Sequence, residues 1–280
     1  MKKIAGKTLA LAALALISGS AAAGIENTKH NLSSTNALGT VNGDVANKTS
    51  NTDQICVFCH TPHGANTAAP APLWNKALPT TTYTTYKTMN SSTIDGEILT
   101  VGSVSLACLS CHDGSQAMDN MFNAPGSGAG AGDGTTGVSQ AYTWTGSGQT
   151  AGKLTGIANL DSDLKNDHPI GIEYCGGGIT GADATVSGTC KDLDFKGASD
   201  IKTKKVNDQQ VFWIDRGLTA NVRDKEDIIL YTRAFAGGAG PSVECASCHD
   251  PHVESKNSDN VNFMRVTTQN SDICLACHTK

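Results

Sequence analysis

Large side chains are scarce in this 280-residue sequence: aromatic residues make up 5% of it, against 30 glycines. Few bulky groups are available to fill a core of this size, so the composition predicts that something other than side chains is buried. Strong basic character is missing too. The net charge is −5 and no stretch gathers lysine and arginine into a stripe, which argues against a nucleic-acid partner. Nor is there an apolar run of membrane-spanning length. The run from Leu9 to Ile17 falls short of the ~18 residues a span requires, and no second such segment follows. Preceded by Met1-Lys2-Lys3 and followed by Ala21-Ala22-Ala23, it reads as a signal peptide over residues 1–23, with mature protein beginning near Gly24. The expectation is an exported protein, extracellular or at the cell surface, with the periplasm as the alternative and no membrane span after cleavage.

Cysteine, in contrast, is plentiful. Eight of the ten cysteines fall in four copies of one pattern: Cys56-Val57-Phe58-Cys59-His60, Cys108-Leu109-Ser110-Cys111-His112, Cys245-Ala246-Ser247-Cys248-His249 and Cys274-Leu275-Ala276-Cys277-His278. A cysteine pair two residues apart with histidine directly after it is the attachment signature of c-type haem. Two thiols must reach two vinyl groups on one porphyrin edge while the adjacent imidazole turns under the iron, and one helical turn satisfies all three. Zinc also takes paired cysteines but has no need of a histidine after every second one. The sequence therefore predicts four covalently bound haem c groups and no other metal. The remaining two cysteines, Cys175 and Cys190, are expected to form a disulfide closing the Gly-rich loop that starts at Gly176.

The histidine count adds a second constraint. Half of the eight histidines belong to the motifs, which leaves His30, His63, His168 and His252. If each iron takes two imidazoles, the proposed ligands His60, His112, His249 and His278 are matched one for one by these four. Methionine is the rival sixth ligand, and the candidates are Met89, Met118, Met121 and Met264. His63 and His252 sit three residues after a motif histidine, in His60-Thr61-Pro62-His63 and His249-Asp250-Pro251-His252. A residue three positions along lies on the same side as the first, whereas a sixth ligand approaches from the opposite face. Each is therefore expected to serve a different haem, which brings two porphyrins side by side. His30 is expected to pin the N-terminus through its ligand role.

The tandem pattern at Cys56 to His63 and Cys245 to His252, with Cys108-Leu109-Ser110-Cys111-His112-Asp113-Gly114 and Asp167-His168-Pro169-Ile170-Gly171, resembles the doubled-motif multihaem cytochromes. It is most similar to the filament-forming extracellular cytochromes of the OmcE and OmcS kind, and the start at Gly24 to His30 looks like the tetrahaem member. The resemblance implies subunits that polymerise into a wire with a continuous haem stack, one iron taking a histidine from the next subunit. The residue that resembles this crossing ligand is His63; service to the second haem of the same chain stays open. The implied partners are further copies of the chain and upstream outer-membrane or periplasmic cytochromes. The motifs reach from Cys56 to His278, so terminal haems at opposite poles fit a head-to-tail contact that propagates.

One tetrahaem domain over residues 24–280 is expected, mostly coil with short helices at the haem motifs and one or two short hairpins around a haem-filled core. Val211 to Ile214 and Asp227 to Thr232 are the expected strand partners. The tract Ala124 to Gly156 reads either as a flexible linker or as a surface loop wrapped over a non-protein core. Saturated irons imply electron transfer and not catalysis, with low potentials because methionine ligation is absent. A discrete periplasmic shuttle, a multihaem reductase with an open iron position, and a surface protein with haem as filler are the competing readings.

Overall fold

A computed structural model describes residues 24–41, 44–125, 137–217, 222–252 and 261–279. The proposed signal peptide and most of the glycine-rich part of the 124–156 tract lie outside the described residues. No described helix is long and apolar enough to cross a membrane.

The expectation of a mostly coil chain around a haem-filled core is overturned. Strand accounts for 26% of the chain and helix for 16%, with several antiparallel sheets, one of them five-stranded. In the N-terminal half the pairings are short: β1 (Lys48–Thr49) with β4 (Trp144–Thr145), and β2 (Asn120–Met121) with β3 (Val138–Ser139). The C-terminal half carries β5 (Ile172–Glu173), a hairpin of β6 (Ile179–Ala182) and β7 (Thr185–Gly188), then β8 (Ile201–Val206), β9 (Gln209–Ile214), β10 (Ile228–Phe235) and β11 (Gly238–Val243). The large sheet runs β8-β9-β10-β11-β5, antiparallel throughout. The two segments expected to pair do so, with Phe212 opposite Leu230 and Ile214 opposite Ile228, but they form the middle of a sheet and not a lone hairpin.

The reason for the error lies in the composition. Scarcity of aromatic residues says little about aliphatic ones, and the core is largely aliphatic. Ile201, Phe212, Ile214, Ile228, Leu230 and Val243 project from one face of the sheet and pack with Tyr174, Ile179, Val266 and Ala276. Side chains alternate along each strand, so Ile229 and Tyr231 of β10 point the other way. Tyr231 there lies within charge–charge reach of Cys108 and Arg265. The first face seats the fourth motif, since Ile273, Ala276 and Cys277 join its core; the second face approaches the second motif.

The disulfide between Cys175 and Cys190 is formed, with Cα atoms 5.3 Å apart, and both residues belong to the same core. Glycine is required at the open end of the β6–β7 hairpin: a Cβ on Gly178 meets the Thr189 carbonyl, and one on Gly188 meets the Gly178 carbonyl. Closing a 15-residue loop stabilises by about 3 kcal/mol. Replacing both cysteines by serine should therefore cost about 3 kcal/mol, read as a lower denaturant midpoint with unchanged cofactor content.

Candidate metal centres

Each motif occupies a helical turn. The first lies on the 3₁₀ turn Cys56–Phe58, the second ends α1 (Ser103–His112), the third forms α2 (Cys245–Cys248) and the fourth ends α3 (Asp272–Leu275) and the turn after it. In three of them the histidine amide donates back to the carbonyl of the first cysteine: His60 to Cys56 at 2.8 Å, His249 to Cys245 at 3.1 Å and His278 to Cys274 at 2.9 Å. That bond closes one turn over the five residues and gathers both thiols and the imidazole to one side.

The ring nitrogens are sorted by their partners. Nδ1 of His60 faces the Pro72 carbonyl at 2.7 Å, that of His112 the Ala158 carbonyl at 2.8 Å, that of His249 the Asn262 carbonyl at 2.7 Å and that of His168 the Pro169 carbonyl at 3.0 Å. A carbonyl only accepts, so Nδ1 carries the proton and Nε2 keeps its lone pair, the arrangement of a metal-ligating imidazole. Burial lowers the pKa of His112 and His168, and that of His30 falls to about 3 through burial and then the charge of His112. All three rings are held neutral, as ligation requires.

Two pairs of imidazoles face each other. The ring centres of His60 and His252 are 6.2 Å apart, and those of His30 and His112 are also 6.2 Å apart. A metal bonded to two imidazole nitrogens at about 2 Å each, with each ring centre roughly 1 Å farther back, spaces the centres about 6 Å apart. Both pairs match the spacing of two imidazoles that would hold one metal between them. His168 lies within charge–charge reach of His278. Among the described residues His63 and His249 enter no ring pair with a second histidine, although His249 lies within charge–charge reach of His30 and His112. His63 is exposed, in an adjoining turn.

The methionines stand elsewhere. Met118 and Met121 are packed at 1% and 0% exposure, and Met89 is exposed. Met264 pairs through its backbone with His249. Zinc needs four converging ligands, and among the described residues no group of three or more His, Cys, Asp or Glu converges.

The motif cysteines also reveal how the four sites follow one another. Cys59 lies within charge–charge reach of Cys111, Cys108 and Cys245 lie within side-chain reach of each other, and Cys248 is within charge–charge reach of Cys274 and Cys277. The first motif thus lies near the second, the second near the third and the third near the fourth. The joint between second and third is built on Glu244, whose carboxylate is 0% exposed. It accepts from Ser105 Oγ of α1 at 2.6 Å and from Arg233 Nη1 at 2.7 Å, and it caps α2 together with Ser247. Burial raises its pKa and these donors oppose the rise. Nothing local in the sequence pointed to Glu244, because its partners lie on distant segments.

A family model described as the doubled CXXCH motif matches residues 238–280. The match supports a multihaem c-type cytochrome family. It spans the third and fourth motifs, and the CXXCH motifs indicate covalently bound haem c and a protein of electron transport. No curated protein matches the chain.

Proposed function

We propose that the chain is an electron conduit holding four c-type haems, each attached through its motif cysteines and ligated by two histidines, and that it is the subunit of an extracellular cytochrome filament. The observation that carries the conduit is the pair of imidazole pairs at 6.2 Å, His60 with His252 and His30 with His112. Haem, when bound, supplies a one-electron iron couple, whose potential two imidazoles set lower than a methionine ligand does. The chain's contribution is positional. Backbone carbonyls aim Nε2 of His60, His112, His249 and His168, and Glu244 ties α1 to α2 so that neighbouring sites stay in register. In this reading the first and third sites lie side by side through His252, and His168 serves with His278.

The filament rests on what remains. Among the described residues His249 enters no imidazole ring pair, its neighbours His30 and His112 being paired with each other, and His63 is exposed, so the two are assigned to each other across neighbouring subunits. The same gap favours a second reading, a discrete protein with one open iron position, of the kind a reductase uses. Haem content by pyridine haemochrome, together with electron microscopy of the secreted protein, tests the proposal. Four haems per chain and filaments are expected. Fewer than four haems overturns the ligand assignment, and a particle that stays small and binds carbon monoxide at one haem in four when reduced overturns the filament in favour of the second reading.

A further inference from the structure

The two motifs that run on into a second histidine differ at one position between the pair: Thr61 in the first copy, Asp250 in the third. Thr61 turns its hydroxyl to the His63 carbonyl at 2.9 Å. Asp250 does something else. Its Oδ1 accepts from the His252 amide at 3.0 Å and lies 3.5 Å from His252 Nδ1, while its Oδ2 takes Arg265 Nη1 at 3.2 Å. Arg265 is 6% exposed and anchored by the Ala246 carbonyl at 3.1 Å and the Lys225 carbonyl at 3.2 Å. The carboxylate is thus clamped from behind and aimed at the imidazole that faces His60.

We propose that Asp250 is a positioning residue that makes His252 a stronger donor than its counterpart His63, and so lowers the potential of the iron shared by His60 and His252. This rests on the haem reading above. A carboxylate facing Nδ1–H draws on that proton and pushes electron density to Nε2, which favours the oxidised metal. The contact is longer than the carbonyl contacts of the other imidazoles, 3.5 Å against 2.7–3.0 Å, and what sets it apart is the acceptor's full negative charge. The Nδ1 atoms of His60, His112, His168 and His249 all face carbonyls. Among the described residues His252 is the one histidine in ion-pair contact with an acid. Arg265 limits the effect by holding part of the charge on Oδ2. The four sites are consequently unequal although their ligands are alike, and the asymmetry is written into a single residue of the repeat.

Three variants of the haem-loaded protein test this: Asp250→Asn, Asp250→Thr, which installs the residue of the first copy, and Asp250→Glu. Potentiometric titration followed by absorbance should show one of four couples shifted upward in the Asn and Thr variants, with the other three in place and haem content unchanged. The Glu variant should hold that couple near the wild-type potential, and the low-spin ferric resonance of one haem should move in the Asn and Thr variants and not in the Glu variant. If the couples are unmoved in all three while haem content and low-spin spectra are intact, Asp250 has no such role and the haem reading survives. Equal shifts in the Asn and Glu variants also overturn the proposal, since they report packing and not charge. A wild-type protein that carries no haem defeats the reading on which all of this depends, and is distinguished by the haemochrome assay alone.

Discussion

Made without haem, by replacing the eight motif cysteines with serine, the chain should keep slow amide exchange in β9 and β10 and lose it around the first two motifs. The two halves do not depend equally on a cofactor. Ile201, Phe212, Ile214, Ile228 and Leu230 are each at most 2% exposed and bury one another across paired strands. The disulfide fastens the adjoining loop into the same cluster. Each such aliphatic side chain contributes about 1.5–3 kcal/mol on burial, and none of that is lost with the haem. Among the described residues the N-terminal half has a smaller buried apolar cluster, Val57, Phe58 and Met121. Its other ties are polar and specific: Asn75 donates to the Val57 carbonyl at 2.7 Å, and the buried Lys76 ammonium to the carbonyls of Ala117, Met118 and Asn120. Such bonds hold a segment whose shape is already set and do little to set it. Exchange near the first two motifs should fall to the rate of locally unfolded chain, with strand signal retained in far-ultraviolet circular dichroism. Uniformly fast exchange through β9 and β10 would sink the idea.

That unevenness explains what could be read from the sequence and what could not. The motifs were legible because attachment chemistry is satisfied within one helical turn, and the ladder of histidine amides to cysteine carbonyls is local. Most of the sheet was not. The edge strand β8 buries Ile201 and Thr203 inward while Lys202 and Lys204 between them turn outward, so its sequence carries no continuous apolar run. β11 contains Gly238, Gly240 and Pro241, weak strand formers, yet pairs with β10 across Thr232 and Pro241. The histidine arithmetic gave the supply of imidazoles without their pairing. That His252 faces His60 and His30 faces His112 depends on long-range packing, which spacing along the chain does not encode.

Replacing His63 by alanine should leave four haems on the chain, abolish filaments and convert one haem in four to a high-spin, carbon-monoxide-binding form. The retention follows from attachment: the thioether cysteines and motif histidines are untouched, and His63 makes no ring contact that the fold needs. Its backbone is fixed from three sides. Thr61 Oγ1 and Asn123 Nδ2 both donate to its carbonyl at 2.9 Å, and Pro62 restricts the approach. The exposed His63 is therefore carried on a fixed mount, whose Thr61 amide also donates to the carbonyl of Leu73, a residue 54% exposed. A ligand held this way is suited to insertion into a neighbouring molecule, at the site where His249 has Nδ1 tied to Asn262 and, among the described residues, enters no imidazole ring pair. Replacing His252 by alanine gives the contrast, since its partner His60 is on the same chain. That variant should show one high-spin haem at any protein concentration. In wild-type protein the high-spin fraction should instead appear only as filaments are dissociated to single subunits. Filaments of ordinary length from the His63→Ala protein, with all haems low-spin, would remove His63 as the crossing ligand; His249 would then require another distal partner.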